Sequence, residues 1–170
     1  MLNVRGCDVV CALLGALVLA AMPAAAAEPQ IRLTPDEIAQ LARTAAARPH
    51  RGPDMVALNG DAAKPGIYSQ RVAIPAHTRV PPHTHRDDRA VYVVSGTLYV
   101  GYGEHREAAL LKALPAGSYY TEPAGTPHFT ETHDEPAVLV ITGFGPSNTH
   151  LIGAPAMPGA AAPPAPAPAR

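Results

Sequence analysis

The sequence predicts an all-β domain, a sandwich or barrel of short strands, with one short helix ahead of it and irregular ends. Three features point there. Apolar runs of four to eight residues recur from residue 55 onward. Clusters of Gly, Pro, Asn and Asp divide them at near-regular spacing, the pattern of an antiparallel sheet rather than of alternating strands and helices. Only Ile38, Leu41 and Ala45 fall at helical spacing, and that stripe is too thin to build a domain.

Taken in order, residues 1–27 read as a signal peptide. Arg5 supplies a minimal basic start, residues 9–22 form an apolar run, and Ala25-Ala26-Ala27 offers a small-residue cleavage site before Glu28. The run is about 14 residues, short of the ~20 that a helix needs to cross a bilayer, so no stable membrane insertion is expected after cleavage. Export follows, to a periplasm or outside the cell. Residues 28–52 form an N-terminal helix and linker. Thr34 is placed as the N-cap, Pro35 as the first helical residue and Glu37 for a capping box, with the helix ending near Ala47.

The functional domain spans residues 53–152. Its predicted strands are 55–58, 67–74, 90–94, 97–102, 109–113, 118–122, 129–132 and 137–142. Val138-Leu139-Val140-Ile141 is apolar on both faces and belongs in the middle of a sheet. Residues 153–170 hold six prolines among alanines and little to bury, which predicts a disordered Pro/Ala-rich tail.

Charge and cysteine content exclude several classes of function. A net charge of −1 without a basic run gives no footprint for nucleic acid. Both cysteines, Cys7 and Cys11, lie in the predicted signal peptide, so a processed chain has no disulfide or thiol chemistry, and any metal must be held by nitrogen and oxygen. There is neither a Gly-rich phosphate loop nor a Gly-x-Ser-x-Gly nucleophile elbow.

The chemistry concentrates in Val80-Pro81-Pro82-His83-Thr84-His85. Side chains two apart on an extended chain share a face, so the imidazoles of His83 and His85 can flank one metal. The prolines deny the segment a helical alternative. His128 follows 43 residues after His85, where a tight turn enters a strand, and antiparallel strands can bring it back to face the pair. Three imidazoles with open positions suit one divalent transition metal, with Fe, Mn, Ni, Cu and Zn not distinguished.

His83-x-His85 followed by Gly96, and Gly117-x5-Pro123-x-Gly125-x2-His128, resemble the two motifs of the cupin superfamily over roughly residues 53–150. The resemblance implies a cupin jelly-roll β-barrel with His83, His85 and His128 as metal ligands. Three departures stand out. His77 occupies the position where the first motif opens with glycine, Thr132 replaces a closing asparagine, and Arg89 occupies the position of the usual glutamate ligand.

Arginine stays protonated and has no lone pair for a metal. Arg89 therefore either grips a carboxylate or phosphate of a small-molecule ligand, or pairs with Asp87 or Asp88 at the rim. Asp88 is a weaker stand-in for the missing carboxylate, because its parity along the strand differs from that of Arg89. His77 is the reserve candidate for a substrate-binding or acid–base group. No catalytic residue is assigned. Three functions remain open: a mononuclear metal enzyme of oxygenase, isomerase or hydrolase type; a non-catalytic module that binds a small ligand or metal; and a metal-free interaction domain. A homodimer is the default assembly for the superfamily.

Overall fold

The computed structural model describes residues 30–46 and 53–153. The predicted signal peptide with its cysteines, the linker residues 47–52 and the tail from residue 154 lie outside the described residues. From Ile31 onward the chain forms one unit; the other, Met1–Gln30, is described only at Gln30.

The helix α1 (Pro35–Ala46) begins where the capping signals place it. The Thr34 amide donates to Glu37 Oε2 (2.7 Å) and the Glu37 amide donates to Thr34 Oγ1 (3.3 Å), a reciprocal capping box. Ile38 and Ala39 turn toward the outer face of a sheet, where they line an apolar hollow with Val138 and Val140.

Ten strands follow: β1 (Asp54–Asn59), β2 (Gly66–Ile74), β3 (Arg79–Thr84), β4 (Arg89–Ser95), β5 (Thr97–Tyr102), β6 (Lys112–Pro115), β7 (Tyr119–Glu122), β8 (His128–Glu131), β9 (Ala137–Gly145) and β10 (His150–Leu151). They pair antiparallel into two five-stranded sheets, ordered β1-β2-β9-β4-β7 and β10-β3-β8-β5-β6. This corrects the expected jelly-roll β-barrel. Closure requires a continuous ladder around the domain, but no strand of one sheet pairs with a strand of the other, and each sheet keeps two free edges. Three edge strands have only two to four residues (β10, β6 and β7), too short to carry pairing from one sheet to the next.

Two strand predictions also change. The expected strand at 109–113 is displaced, because Ala108–Leu110 coil into one 3₁₀ turn and pairing begins only at Lys112. The segment around Pro81 and Pro82, predicted only as extended, is a strand with a break in it. Prolines lack the N–H that a ladder needs, and the β3–β8 register slips between Val80 and His83. After that slip His83 stands directly opposite His128.

The core between the sheets is aliphatic, with Val91, Val93, Leu98, Val100, Leu139 and Ile141 buried. Each such side chain contributes about 1.5–3 kcal/mol relative to exposure, so the core outweighs the exposed ion pairs in holding the two sheets together. The doubly apolar β9 is the central strand of its sheet, as its composition predicts. The histidines occupy the end of this sandwich where β3 finishes and β8 starts.

Candidate metal centre

His83 sits near the end of β3, His85 one residue past it, and His128 at the start of β8. Their ring centroids are 4.3–5.1 Å apart. All three are buried, His128 completely. Each ring is fixed by a backbone carbonyl on its far side. Nδ1 of His83 donates to Pro81 O (2.8 Å), Nδ1 of His85 to Asn148 O (2.6 Å), and Nδ1 of His128 to Thr126 O (3.1 Å). A carbonyl can only accept, so each Nδ1 carries a proton, and in the neutral ring Nε2 keeps its lone pair.

One ligand atom from each of the three residues falls within 4.8 Å of the others. Nε2 of His128 is buried without a hydrogen-bond partner. A buried acceptor in that state is costly unless something electron-poor meets it. The carbonyl-anchored, oriented imidazole is the form in which histidine ligates metals. The residues therefore fit a single divalent ion, and the cluster is positioned to chelate one. Burial, and then the neighbouring His128, lowers the pKa of His83. Burial, and then the Arg89 guanidinium, lowers that of His85 to about 4. Both rings are thereby held neutral at physiological pH, as ligation requires.

Beside the histidines lies an internal ion pair that sequence reasoning only half anticipated. Arg89 Nη1 donates to His85 Nε2 (3.0 Å) and lies 3.5 Å from Glu122 Oε2, while Nη2 donates to Ser147 Oγ (2.6 Å) and Nε lies 3.6 Å from Asp87 Oδ1. Asp87 is anchored in turn by the hydroxyls of Tyr68 (2.7 Å) and Ser147 (2.6 Å). The pairing with Asp87 is one of the two roles expected for Arg89. Asp88 instead is exposed, accepts from the Ala124 amide (2.8 Å), and is not among the converging groups.

Glu122 escaped sequence reasoning. It is 4% exposed, and its oxygens lie 3.5 Å from Nε2 of His85 and 3.5 Å from Nε2 of His128. Burial raises its pKa, and its His128, His85 and Arg89 neighbours lower it to about 2; with the rings neutral, the Arg89 guanidinium at 3.5 Å is the charge that keeps it a carboxylate. The available signal was parity, since Tyr120 and Glu122 share one face of β7 and Tyr120 is apolar core. His83, His85, Arg89 and Glu122 open on a cavity of about 200 Å³ walled by Val72, Ile74, Leu139 and Ile141.

His77 does not join them. It precedes β3 at the end away from His83, with a side chain 73% exposed and 4.0 Å from Asp134. Its φ of +55° lies in the left-handed region, which explains why the superfamily pattern has glycine there. Near it, Glu131 is buried under Arg106, whose Nε and Nη2 donate at 2.8 and 3.0 Å, and beside His133 at 3.0 Å.

These hydrogen bonds, that from Arg106 foremost, lower the Glu131 pKa from 4.5 to about 2. A carboxylate depressed in the folded state stabilises the fold above pH 4.5, and that contribution fades as pH falls towards 2. The difference in Tm between wild type and Glu131→Gln is therefore expected to shrink from pH 5 to pH 2. A difference that does not vary with pH contradicts this assignment.

Comparison with known proteins agrees with this geometry. The Cupin domain family profile matches residues 70–143. Germin-like protein 1-1 of Oryza sativa subsp. japonica is 31% identical over 105 residues, covering 59% of this chain and 47% of the relative. Germin-like protein 5-1 of the same plant is 33% identical over 89 residues, covering 52% and 39%. The chain thus spans about half the length, or less, of these relatives. The polyketide cyclase RemF from Streptomyces resistomycificus superposes with a TM-score of 0.52 at 14% identity, over 62% of this chain and 74% of that one, a likeness of fold alone. The chain has a cupin-superfamily fold carrying a histidine metal-binding cluster.

Proposed function

We propose that this protein holds one divalent transition metal on His83, His85 and His128 and uses it to bind or transform a small anionic molecule in the adjoining cavity. The observation that carries this is the convergence of one ligand atom from each of three buried histidines within 4.8 Å, beside a cavity of about 200 Å³ with aliphatic walls. That volume is below the ~300–1,000 Å³ of sites for drug-sized ligands, which favours a molecule of few heavy atoms.

Charge supports an anion. Arg89 against Asp87 and Glu122 leaves one net negative charge beside the histidines, and a divalent ion turns this into one net positive charge. Bound there, the metal would supply Lewis-acid polarisation of a ligand oxygen or activate water. Arg89 lines the cavity and adds positive potential even while paired. Nothing in the site singles out an acid–base pair, so non-catalytic capture of a small ligand is the second form of the same proposal.

The test is thermal denaturation of the metal-loaded and metal-stripped chain with a panel of short mono- and dicarboxylates. At least one acid is expected to raise Tm only in the loaded protein. Equal shifts with and without metal would overturn a metal-dependent site. Export is part of the proposal, since residues 1–27 read as a signal peptide. N-terminal sequencing of protein from its native source is expected to begin at Glu28, and a start at Met1 counts against export. No helix among the described residues is long and apolar enough to span a membrane.

A further inference from the structure

Glu122 and Arg89 face each other across the β4–β7 ladder. The arginine cannot ligate a metal, whereas the acid opposite it stands within reach of two of the three histidines. Consider the lone pairs at this point. The Nδ1 atoms donate to carbonyls, so the Nε2 atoms of His85 and His128 are acceptors, and the carboxylate oxygens 3.5 Å from each are acceptors too. At His85 the Arg89 guanidinium already bridges these acceptors, at 3.0 and 3.5 Å; His128 Nε2 makes no hydrogen bond, and acceptors facing one another there, out of contact with water, repel unless a cation lies between them.

The spacing matches a shared ion. Two ligand atoms each about 2.1 Å from one metal lie roughly 3.0–3.4 Å apart at octahedral or tetrahedral angles. The carboxylate is also aimed. The hydroxyl of Tyr120 donates to Oε1 (3.0 Å) and Arg89 Nη1 lies against Oε2 (3.5 Å), which leaves further lone pairs on both oxygens for the side facing the histidines.

We propose that Glu122 is the fourth protein ligand of the metal, held towards the three histidines by Arg89 and Tyr120. Arg89 is a positioning residue here. Its hydrogen bond to His85 Nε2 occupies a lone pair that the metal needs, so it must let go of His85 on loading while keeping Ser147 and Asp87. Glu122's role presupposes the three-histidine centre proposed above, and the experiment separates the two.

Zn²⁺ affinity of the full chain is measured by competition with a chromophoric chelator for wild type, Glu122→Gln, Glu122→Asp and His128→Ala, with the Tm of each metal-free variant as the check on folding. Glu122→Gln preserves shape and is expected to weaken Zn²⁺ binding by more than ~100-fold, beyond the 10–100-fold typical of groups that only support a ligand. Glu122→Asp keeps a carboxylate and is expected to fall between Glu122→Gln and wild type. A loss under ~100-fold in Glu122→Gln, with His128→Ala still weakening binding by more than about 50-fold, overturns Glu122 as a ligand and leaves the histidine centre standing. Zn²⁺ binding absent from wild type, or unchanged in His128→Ala, overturns both.

Discussion

Replacing His128 with alanine is expected to take the full-length chain from one bound metal ion to none after desalting. His128 is the most deeply buried of the three histidines, and its Nε2 makes no hydrogen bond. Metal binding at four-ligand sites amounts to roughly 10–16 kcal/mol, or about 2.5–4 kcal/mol per ligand, so one missing imidazole weakens affinity by about 70- to 900-fold. The metal-free variant is expected to lose less stability than a cavity of this size would normally cost. The substitution removes a buried nitrogen that lacked a hydrogen bond, which offsets part of the cavity term. Elemental analysis and the Tm of the metal-free protein read the two effects separately. Retention of one ion per chain by His128→Ala contradicts the ligand set.

Gly96→Ala is expected to be strongly destabilising although it lies at the end of β4 away from the histidines. Gly96 joins β4 to β5 with φ of +70°, where a side chain costs about 1–2 kcal/mol. A Cβ there would overlap the Pro136 carbonyl oxygen and crowd the Pro136 carbonyl carbon (3.0 Å) and Ala137 Cα (3.1 Å). These are backbone atoms that cannot rotate away, and overpacking of this kind adds about 1–3 kcal/mol. The combined loss of about 2–5 kcal/mol corresponds to a fall in Tm on the order of 10–30 °C for a domain of this size. A change below about 5 °C would show that the hairpin relaxes around the methyl group. Gly101 presents a second instance of tight packing, with Phe129 against the face where a Cβ would stand.

What the sequence made legible followed from local chemistry. The helix start was readable because Thr34, Pro35 and Glu37 act within one turn of each other. His83 and His85 were readable as a pair because parity along an extended chain is a local rule. Even the doubly apolar β9 announced its central place. The failures share one cause, which is dependence on how distant segments pair. Whether two sheets close on each other is decided by edge strands such as His150–Leu151, a pairing of two residues that no periodicity marks. Parity could place Glu122 on the inner face of its strand, but its role stayed hidden for the same reason. Its meaning comes from standing across the ladder from Arg89, and register between strands 33 residues apart is not written in either one. The Pro81-Pro82 slip is an intermediate case: the prolines announce a disturbance, but only the paired strand shows that it leaves His83 facing His128.

The most direct test is diffraction from crystals of the metal-loaded chain, collected on either side of the metal's absorption edge. One anomalous peak is predicted, about 2.0–2.2 Å from the Nε2 atoms of His83, His85 and His128. A peak elsewhere, or none at full loading with the three rings still hydrogen-bonded only within the protein, would contradict the metal centre.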